Sequence, residues 1–462
     1  MRLRFPTRLP ARFPRGKGHR LLPAAAACLL PAAVLAAPPG SAAAERHEPT
    51  TATDSASSCF WTGPFTPDQD KFNYAYLDTG ALYWSSHYTL PKGAKLTLDG
   101  AYAHARYQSL NSYEPVAATP LTALNDQQIQ PDRGSRNPFL AGAKRTFPHR
   151  DWTVRVDPGT PPKDPADQEP NTLYAGRPGS SAQSLVYRVY VPDRGRDASG
   201  GVGLPEPVLT LADGTKVTGS KVCDTLEPGE PGGPRIQPID EYNKLREQPG
   251  KPAGFPASDP VRWHAAYTTQ WQRDCAYHDQ CVPAPPRSVG QYSNLDNAYV
   301  AAHLSRDLGP VAVLRGKLPT TPATYDGDKR MGTGQLRYWS MCSYETWSTR
   351  VEGKRSCLYD EQVHPDKDGY YTVVVSRPGD RPRNATAACG VDWIAWPENG
   401  DGAGHVNDAY VLMRNMLPDK GFTHVPQNTR TGDDEKRVMG PYLPDGSHTS
   451  TAAFEKRGCS AG

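Results

Sequence analysis

A chain that repeats itself over the length of a domain has few folds open to it. Ala105 to Glu114 reads ARYQSLNSYE and Leu336 to Glu345 reads LRYWSMCSYE, so Arg, Tyr, Ser, Ser, Tyr and Glu recur in order at an offset of 231 residues. Four further echoes keep the same order. NYAY from Asn73 returns as DNAY from Asp296, and YTLP from Tyr88 as GKLP from Gly316. WTVRV from Trp152 returns as YTVVV from Tyr371, and RVYVPDRG from Arg188 as RNMLPDKG from Arg414, with all offsets between 219 and 231. One echo is weak, but five collinear ones point to an internal duplication whose period is that of a domain rather than of a solenoid.

Each copy reads as β-structure. LVYRVYV from Leu185 and YYTVVV from Tyr370 are β-branched and aromatic runs stopped by Pro or Gly. PVLTLADGTKVT from Pro207 is two short strands around Asp213-Gly214, a pair that tolerates positive φ. The expected fold class is mainly β, with two homologous β-sandwich or jelly-roll-like modules at residues 59–223 and 285–462. Residues 224–284 read as a Pro-rich linker. Within it, IDEYNKLRE from Ile239 and DPVRWHAAYTTQWQRDCAY from Asp259 read as short helices, Pro260 suiting a helix start.

The first 44 residues follow the plan of a secretory signal peptide. MRLRFPTRLPARFPRGKGHR carries seven Arg and Lys and no acid, an apolar Ala-rich run follows from Leu21 to Ala37, and small residues end it near Ala44. Pro23 and Pro31 break the apolar run, so a retained membrane helix is not expected. Residues 45–58 read as a disordered N-terminus. The whole chain has 52 basic and 49 acidic residues, and without the seven basic residues of the leader 45 stand against 49. The basic balance belongs to the leader, which removes the case for nucleic acid or an anionic membrane as partner. Eight of the nine cysteines follow Cys28, an even number that in an exported chain reads as four disulfides. The simplest staples join the ends of each module, Cys59 with Cys223 and Cys281 with Cys459. Cys275, Cys342, Cys357 and Cys389 remain, and sequence does not fix the connectivity.

Chemistry could sit in two places. In a strand, Arg106 would share a face with Glu114, and Tyr107 would lie opposite; Arg337 and Tyr338 repeat the arrangement beside Glu345. A repeated Arg next to a repeated Tyr can hold a carboxylate, a phosphate or sugar hydroxyls, or Arg and Glu can form a structural ion pair over core tyrosines. The second place is asymmetric. The second copy carries Glu398, Asp401, His405 and Asp408 behind Trp393 and Trp396, whereas the corresponding interval of the first copy holds neither acid nor His. Carboxylates and a His beside aromatics suit a sugar site or an oxygen-ligand metal site; the alternative is a solvated Gly-rich turn. The residues nominated are Glu345, Asp401 and His405 for catalysis, and Arg106, Tyr107, Arg337, Tyr338, Trp393 and Trp396 for substrate. No zinc spacing, G-x-S-x-G elbow, H-E-x-x-H, Walker loop or dinucleotide fingerprint is present, so no metal or cofactor is expected.

Two resemblances bear on function. CAYHDQC, Cys275 to Cys281, resembles the active-site helix of secreted phospholipases A2, which implies His278 as base and Asp279 as calcium ligand. The match covers seven residues, Asp274 stands where that family has a second cysteine, and no Gly-rich calcium loop precedes it; a local Cys275–Cys281 loop also explains the motif. SNLDNAYVAAHLSRDLGPVAVLRGKLP, with LRYWSMCSYE and RNMLP, is similar to exported proteins of unknown function of actinobacterial type. More loosely, it is similar to the domain-of-unknown-function families numbered 1254 and 1214. That resemblance covers about half the chain and implies a β-rich jelly-roll-like fold, with no activity attached. The expected function is binding or processing of an extracellular glycan or small organic substrate in a cleft between the modules. The alternatives are a non-catalytic envelope or surface protein and, more remotely, a calcium-dependent lipase.

Overall fold

The computed structural model describes residues 59–459 other than Gly179, Pro231 and Val289. The expected leader, the 45–58 segment and Cys28 lie outside the described residues. The first half contributes β1 (Thr62–Phe65), β2 (Ala81–Thr89), β3 (Lys95–Ala101), β4 (Ala105–Tyr113), β5 (Pro120–Asn125), β6 (Asp151–Asp157), β7 (Thr172–Tyr174), β8 (Ala182–Pro192), β9 (Glu206–Thr210) and β10 (Lys216–Thr218). A connecting stretch follows with α1 (Lys221–Thr225), β11 (Glu227–Pro228), α2 (Ile239–Arg246), β12 (His264–Ala265) and α3 (Thr269–His278). The second half holds β13 (Asn297–Ser305), β14 (Val311–Lys317), β15 (Tyr338–Tyr344), β16 (Cys357–Tyr359), β17 (Tyr370–Ser376), β18 (Asp392–Ala395), β19 (Asp408–Met416), α4 (Glu435–Met439), β20 (Asp445–Thr449) and α5 (Thr451–Glu455).

The two halves share one strand order, apart from β10 and β11, which have no counterpart in the second half. One first-half sheet runs β1-β2-β8-β4-β5, with β11 on β2, and the matching second-half sheet runs β12-β13-β19-β15-β16. The other pair runs β10-β9-β3-β6-β7 and β20-β14-β17-β18, and each ends in a parallel pair, β6 with β7 and β17 with β18. Three of the five sequence echoes fall on corresponding strands: β4 and β15, β6 and β17, β8 and β19. The NYAY and YTLP echoes do not; YTLP ends β2 whereas GKLP ends β14.

Side-chain alternation explains why the central strands are buried throughout. On β8, Leu185, Tyr187 and Val189 join Trp84, Leu110, Leu96, Trp152 and Val154 in the first-half core. Val186 and Tyr190 point the other way and pack with Tyr107, Tyr338, Tyr344, Tyr410 and Leu412 in a core built from both halves. The second half has its own core around Trp339, Met341, Val373 and Trp396. The β4 and β15 sheets are thus covered on both faces, and every residue of those two strands is buried.

The connecting stretch departs from expectation at one point. The second helix begins at Thr269, not near Asp259. Val261, Trp263, Ala265 and Tyr267 are all buried, a period-two pattern, and His264 and Ala265 pair with Ala301 and Val300 of β13 as an edge strand. Thr268 then caps the helix, its hydroxyl accepting from the Trp271 N–H at 3.0 Å. The hairpin around Asp213-Gly214 forms as expected, Lys216 pairing with Thr210.

Four disulfides are present among the described residues. Cys59–Cys223 closes the first half as expected, across 164 residues. The expected Cys281–Cys459 staple is corrected: Cys281 bonds Cys275 and Cys459 bonds Cys389. Asp279 takes a left-handed conformation at the end of α3 (φ 57°) and turns the chain back, bringing Cys281 to 4.2 Å Cα–Cα from Cys275. Cys342 and Cys357 are cross-strand partners on β15 and β16 and form the fourth bond. No helix among the described residues is long and apolar enough to cross a membrane.

Candidate functional site

Where the two central sheets face each other, the connecting stretch closes one side and leaves a cavity of about 800 Å³. Strands β2 and β8 supply Tyr83, Ser85, Arg188 and Tyr190, and strands β13 and β19 supply Tyr299, His303, Tyr410 and Arg414. The connecting stretch adds Gln237, Tyr242, Thr269, Gln272, Arg273, Tyr277 and Tyr292. Nine of the lining residues are tyrosines, and four arginines stand against one acid, Glu241. Rings with a polar tip and an excess of positive charge suit an organic ligand that carries negative charge.

The two arginines on the central strands are wired differently. Arg414 donates to the Tyr344 hydroxyl at 2.8 Å and to the Tyr76 carbonyl, and lies 3.5 Å from the Asp78 carboxylate. Arg188 donates from Nη2 to the Tyr292 carbonyl at 2.6 Å and rests over the rings of Tyr83 and Tyr113 at 5.7 and 5.5 Å. Its Nε and Nη1 are buried without an acceptor. Burial acts to lower the Arg188 pKa, but the surrounding tyrosine hydroxyls more than offset this, so the guanidinium stays charged. At another part of the wall, His303 lies between the rings of Tyr277 and Tyr410, at 5.6 and 5.1 Å. Burial, with smaller contributions from His264 and Arg246, lowers its pKa to about 3 and keeps the ring neutral at physiological pH.

None of the nine side chains nominated from sequence lines this cavity. Arg106 and Arg337 instead bridge the halves reciprocally. Arg106 reaches Asp360 at 2.9 Å, Glu361, and Thr324 at 2.8 Å; Arg337 reaches Asp126 at 3.2 Å. Each also donates to the other's backbone carbonyl at 3.3 Å. Both guanidinia are engaged in ion pairs, but not with the repeated glutamates: Glu114 pairs with Arg177, and Glu345 accepts from Ser348 and Asn399. Tyr107 donates to Asp296 at 2.6 Å and Tyr338 to Asp78 at 2.9 Å, both inside the shared core.

Glu345 accepts from Ser348 and from Asn399 at 3.2 Å. His405 Nδ1 meets Asp401 at 2.6 Å and its Nε2 meets Glu247 at 3.1 Å, tying the 397–408 loop to the chain just past α2. Trp393 and Trp396 are core residues rather than exposed aromatics: Trp396 is fully buried and donates to the Asp408 carbonyl at 3.2 Å, while Trp393 donates to Ser376 at 3.0 Å.

Among the described residues, three groups of side chains are close enough together to hold an ion: His264 with Cys275 and Cys281, Asp78 with Cys342 and Cys357, and Asp401 with His405 and Asp408. The cysteines of the first two are in disulfides and offer no thiolate. In the third, Arg246 binds both Asp408 oxygens and Ser305 a third position. His278 is exposed, and Asp279 is held by Arg262 at 3.1 Å.

Sequence reasoning thus missed the cavity residues. The trace was there: Arg188 and Arg414 open the RVYVPDRG and RNMLPDKG echo, and Tyr outnumbers Phe 23 to 10.

The described residues make this a mainly β, disulfide-linked protein with an aromatic cavity between its halves. No family model and no curated protein matches the chain. Two solved structures align over most of it. One is an uncharacterized protein from Burkholderia cenocepacia, 12% identical over 86% of this chain and 84% of that chain, with a TM-score of 0.45. The other is the VPA0106 protein from Vibrio parahaemolyticus, 12% identical over 82% of this chain and 91% of that chain, with a TM-score of 0.37.

Proposed function

We propose that this is an exported protein of two homologous β-sandwich modules, descended from an internal duplication, that binds a small organic ligand between them. The carrying observation is the cavity of about 800 Å³, lined by tyrosines from both halves and roofed by α2 and α3. That volume falls in the range of small-molecule sites, and mixed aromatic and polar walls are what such sites use. Four disulfides fit an oxidising compartment and so support export. The shared strand order and the three in-phase echoes support duplication. A short glycan remains within the class of ligand, since tyrosine faces and hydroxyls serve sugars as well as organic acids.

The experiment is a thermal-shift screen of the chain against glycans and small organic acids, alcohols and esters. At least one class is expected to raise Tm, and Thr269→Trp, which places an indole at the exposed first turn of α3 on the cavity wall, is expected to abolish the shift. A panel with no shift, or a Thr269→Trp protein that responds as the parent does, contradicts the reading and favours a non-binding envelope protein.

A further inference from the structure

The two halves are matched closely enough that one exchange between them stands out. Arg188 and Arg414 occupy the same register: each faces a tyrosine on one neighbouring strand, Tyr83 or Tyr299, and a serine on the other, Ser109 or Ser340. The residue that matches Asp78 is Asn294. The N–H of each donates to the twin tyrosine five residues on, Tyr83 or Tyr299, at 3.1 Å. The Oδ1 of each accepts from the N–H two residues on, at 2.9 and 3.0 Å. Each side chain meets a tyrosine hydroxyl of the other half, Asp78 with Tyr338 at 2.9 Å and Asn294 with Tyr107 at 3.1 Å. The difference is one functional group. Arg414 has a carboxylate, and the matching place on the Arg188 side holds an uncharged amide.

Accepting the cavity as the ligand site proposed above, we infer that Arg188 anchors the carboxylate of an organic acid there, and that Asn294 keeps the anchor open. Arg188 is 2% exposed, forms no ion pair within 4 Å among the described residues, and leaves Nε and Nη1 without acceptors. The acid nearest in sequence to Asn294, Asp296, turns its oxygens to Tyr107 at 2.6 Å and Asn125 at 3.1 Å. Asp296 feels the Arg188 charge without touching it, and a buried cation with no carboxylate in contact is costly, a cost that an incoming anion recovers. Ser85, diagonal to Arg188 across β2 and β8, lines the same cavity with a buried hydroxyl that has no partner and can donate to a second carboxylate oxygen. Among the described residues, Arg188 is the one fully buried arginine of the wall without an ion pair, Arg235 and Arg273 being more exposed, and a single carboxylate matches that buried charge better than a doubly charged phosphate ester.

The test titrates the full chain by calorimetry with benzoate, benzyl alcohol and phenyl phosphate, and repeats it on Asn294→Asp and Arg188→Met. Benzoate is expected to bind tightest. Both variants are expected to lower the benzoate-to-benzyl alcohol affinity ratio about tenfold or more relative to the unmodified chain. If benzyl alcohol binds and benzoate gains nothing over it, the anchor is overturned and the cavity reading stands. Tighter phenyl phosphate, folded variants that bind benzoate as the parent does, or no binding of benzoate also overturns it. The wider ligand panel decides the cavity reading separately. Should a variant lose the parent's circular dichroism, the benzoate-to-benzyl alcohol ratio in the unmodified chain decides alone.

Discussion

Arg106 has no exposed surface, and its charge is met by Asp360 and Glu361 from the other half. Removing one member of such a group leaves buried charges uncompensated, which costs more than the ion pair itself contributes. Arg106→Met is expected to lose about 3–5 kcal/mol in urea denaturation, and adding Asp360→Asn and Glu361→Gln to recover much of it. A loss below about 1 kcal/mol would mean these charges behave as solvated ones. The same residue shows how far the sequence could be read. Its repetition with Arg337 was visible, and so was the choice between a ligand and an ion pair. The deciding fact, carboxylates arriving from the opposite half more than 200 positions away, has no local signature. Arg188 was equally visible in its echo, but nothing nearby in sequence says that its counterion is missing.

Single strands carry their own pH dependence. On β2, His87 is half-buried with neither ring nitrogen partnered, and burial lowers its pKa to about 4. Its folded pKa lies below the unfolded value of about 6.5. Its contribution to stability is therefore present above pH 6.5 and is lost as the pH falls towards 4. His87→Phe is expected to shrink the drop in unfolding free energy between pH 7 and 4.5 by roughly 1–3 kcal/mol, measured by urea titration at both values. An unchanged drop would place the ring in contact with water.

Strands were the most legible elements, because β-branched runs and their stops are local. The stretch from Asp259 to Thr268 was misread as helix because Pro260 and the apolar residues allow either period. The alternation of Val261, Trp263, Ala265 and Tyr267 between two packed surfaces settles it. Cys281 and Cys459 were paired wrongly for a related reason: module ends suggest staples, but the left-handed turn at Asp279 makes a six-residue loop.

At the scale of the molecule, halves of like strand order need not have like functions. Two sheets of the same order face each other, reciprocal arginines fasten them, and tyrosines fill most of the interface. The mainly β class was legible because its β-branched and aromatic runs recur along the chain. The cavity was not, because its wall is assembled from both halves and from a linker whose composition reads only as polar and Pro-rich. Its inequality rests on a single pair, Asp78 against Asn294, in segments that the NYAY echo aligns out of phase.

That inequality gives the most direct test, a count of benzoate bound per chain at saturation by equilibrium dialysis. Because Arg414 already has the Asp78 carboxylate and Arg188 has none, one molecule per chain is expected. Two per chain, one for each arginine twin, or none at all would contradict the account.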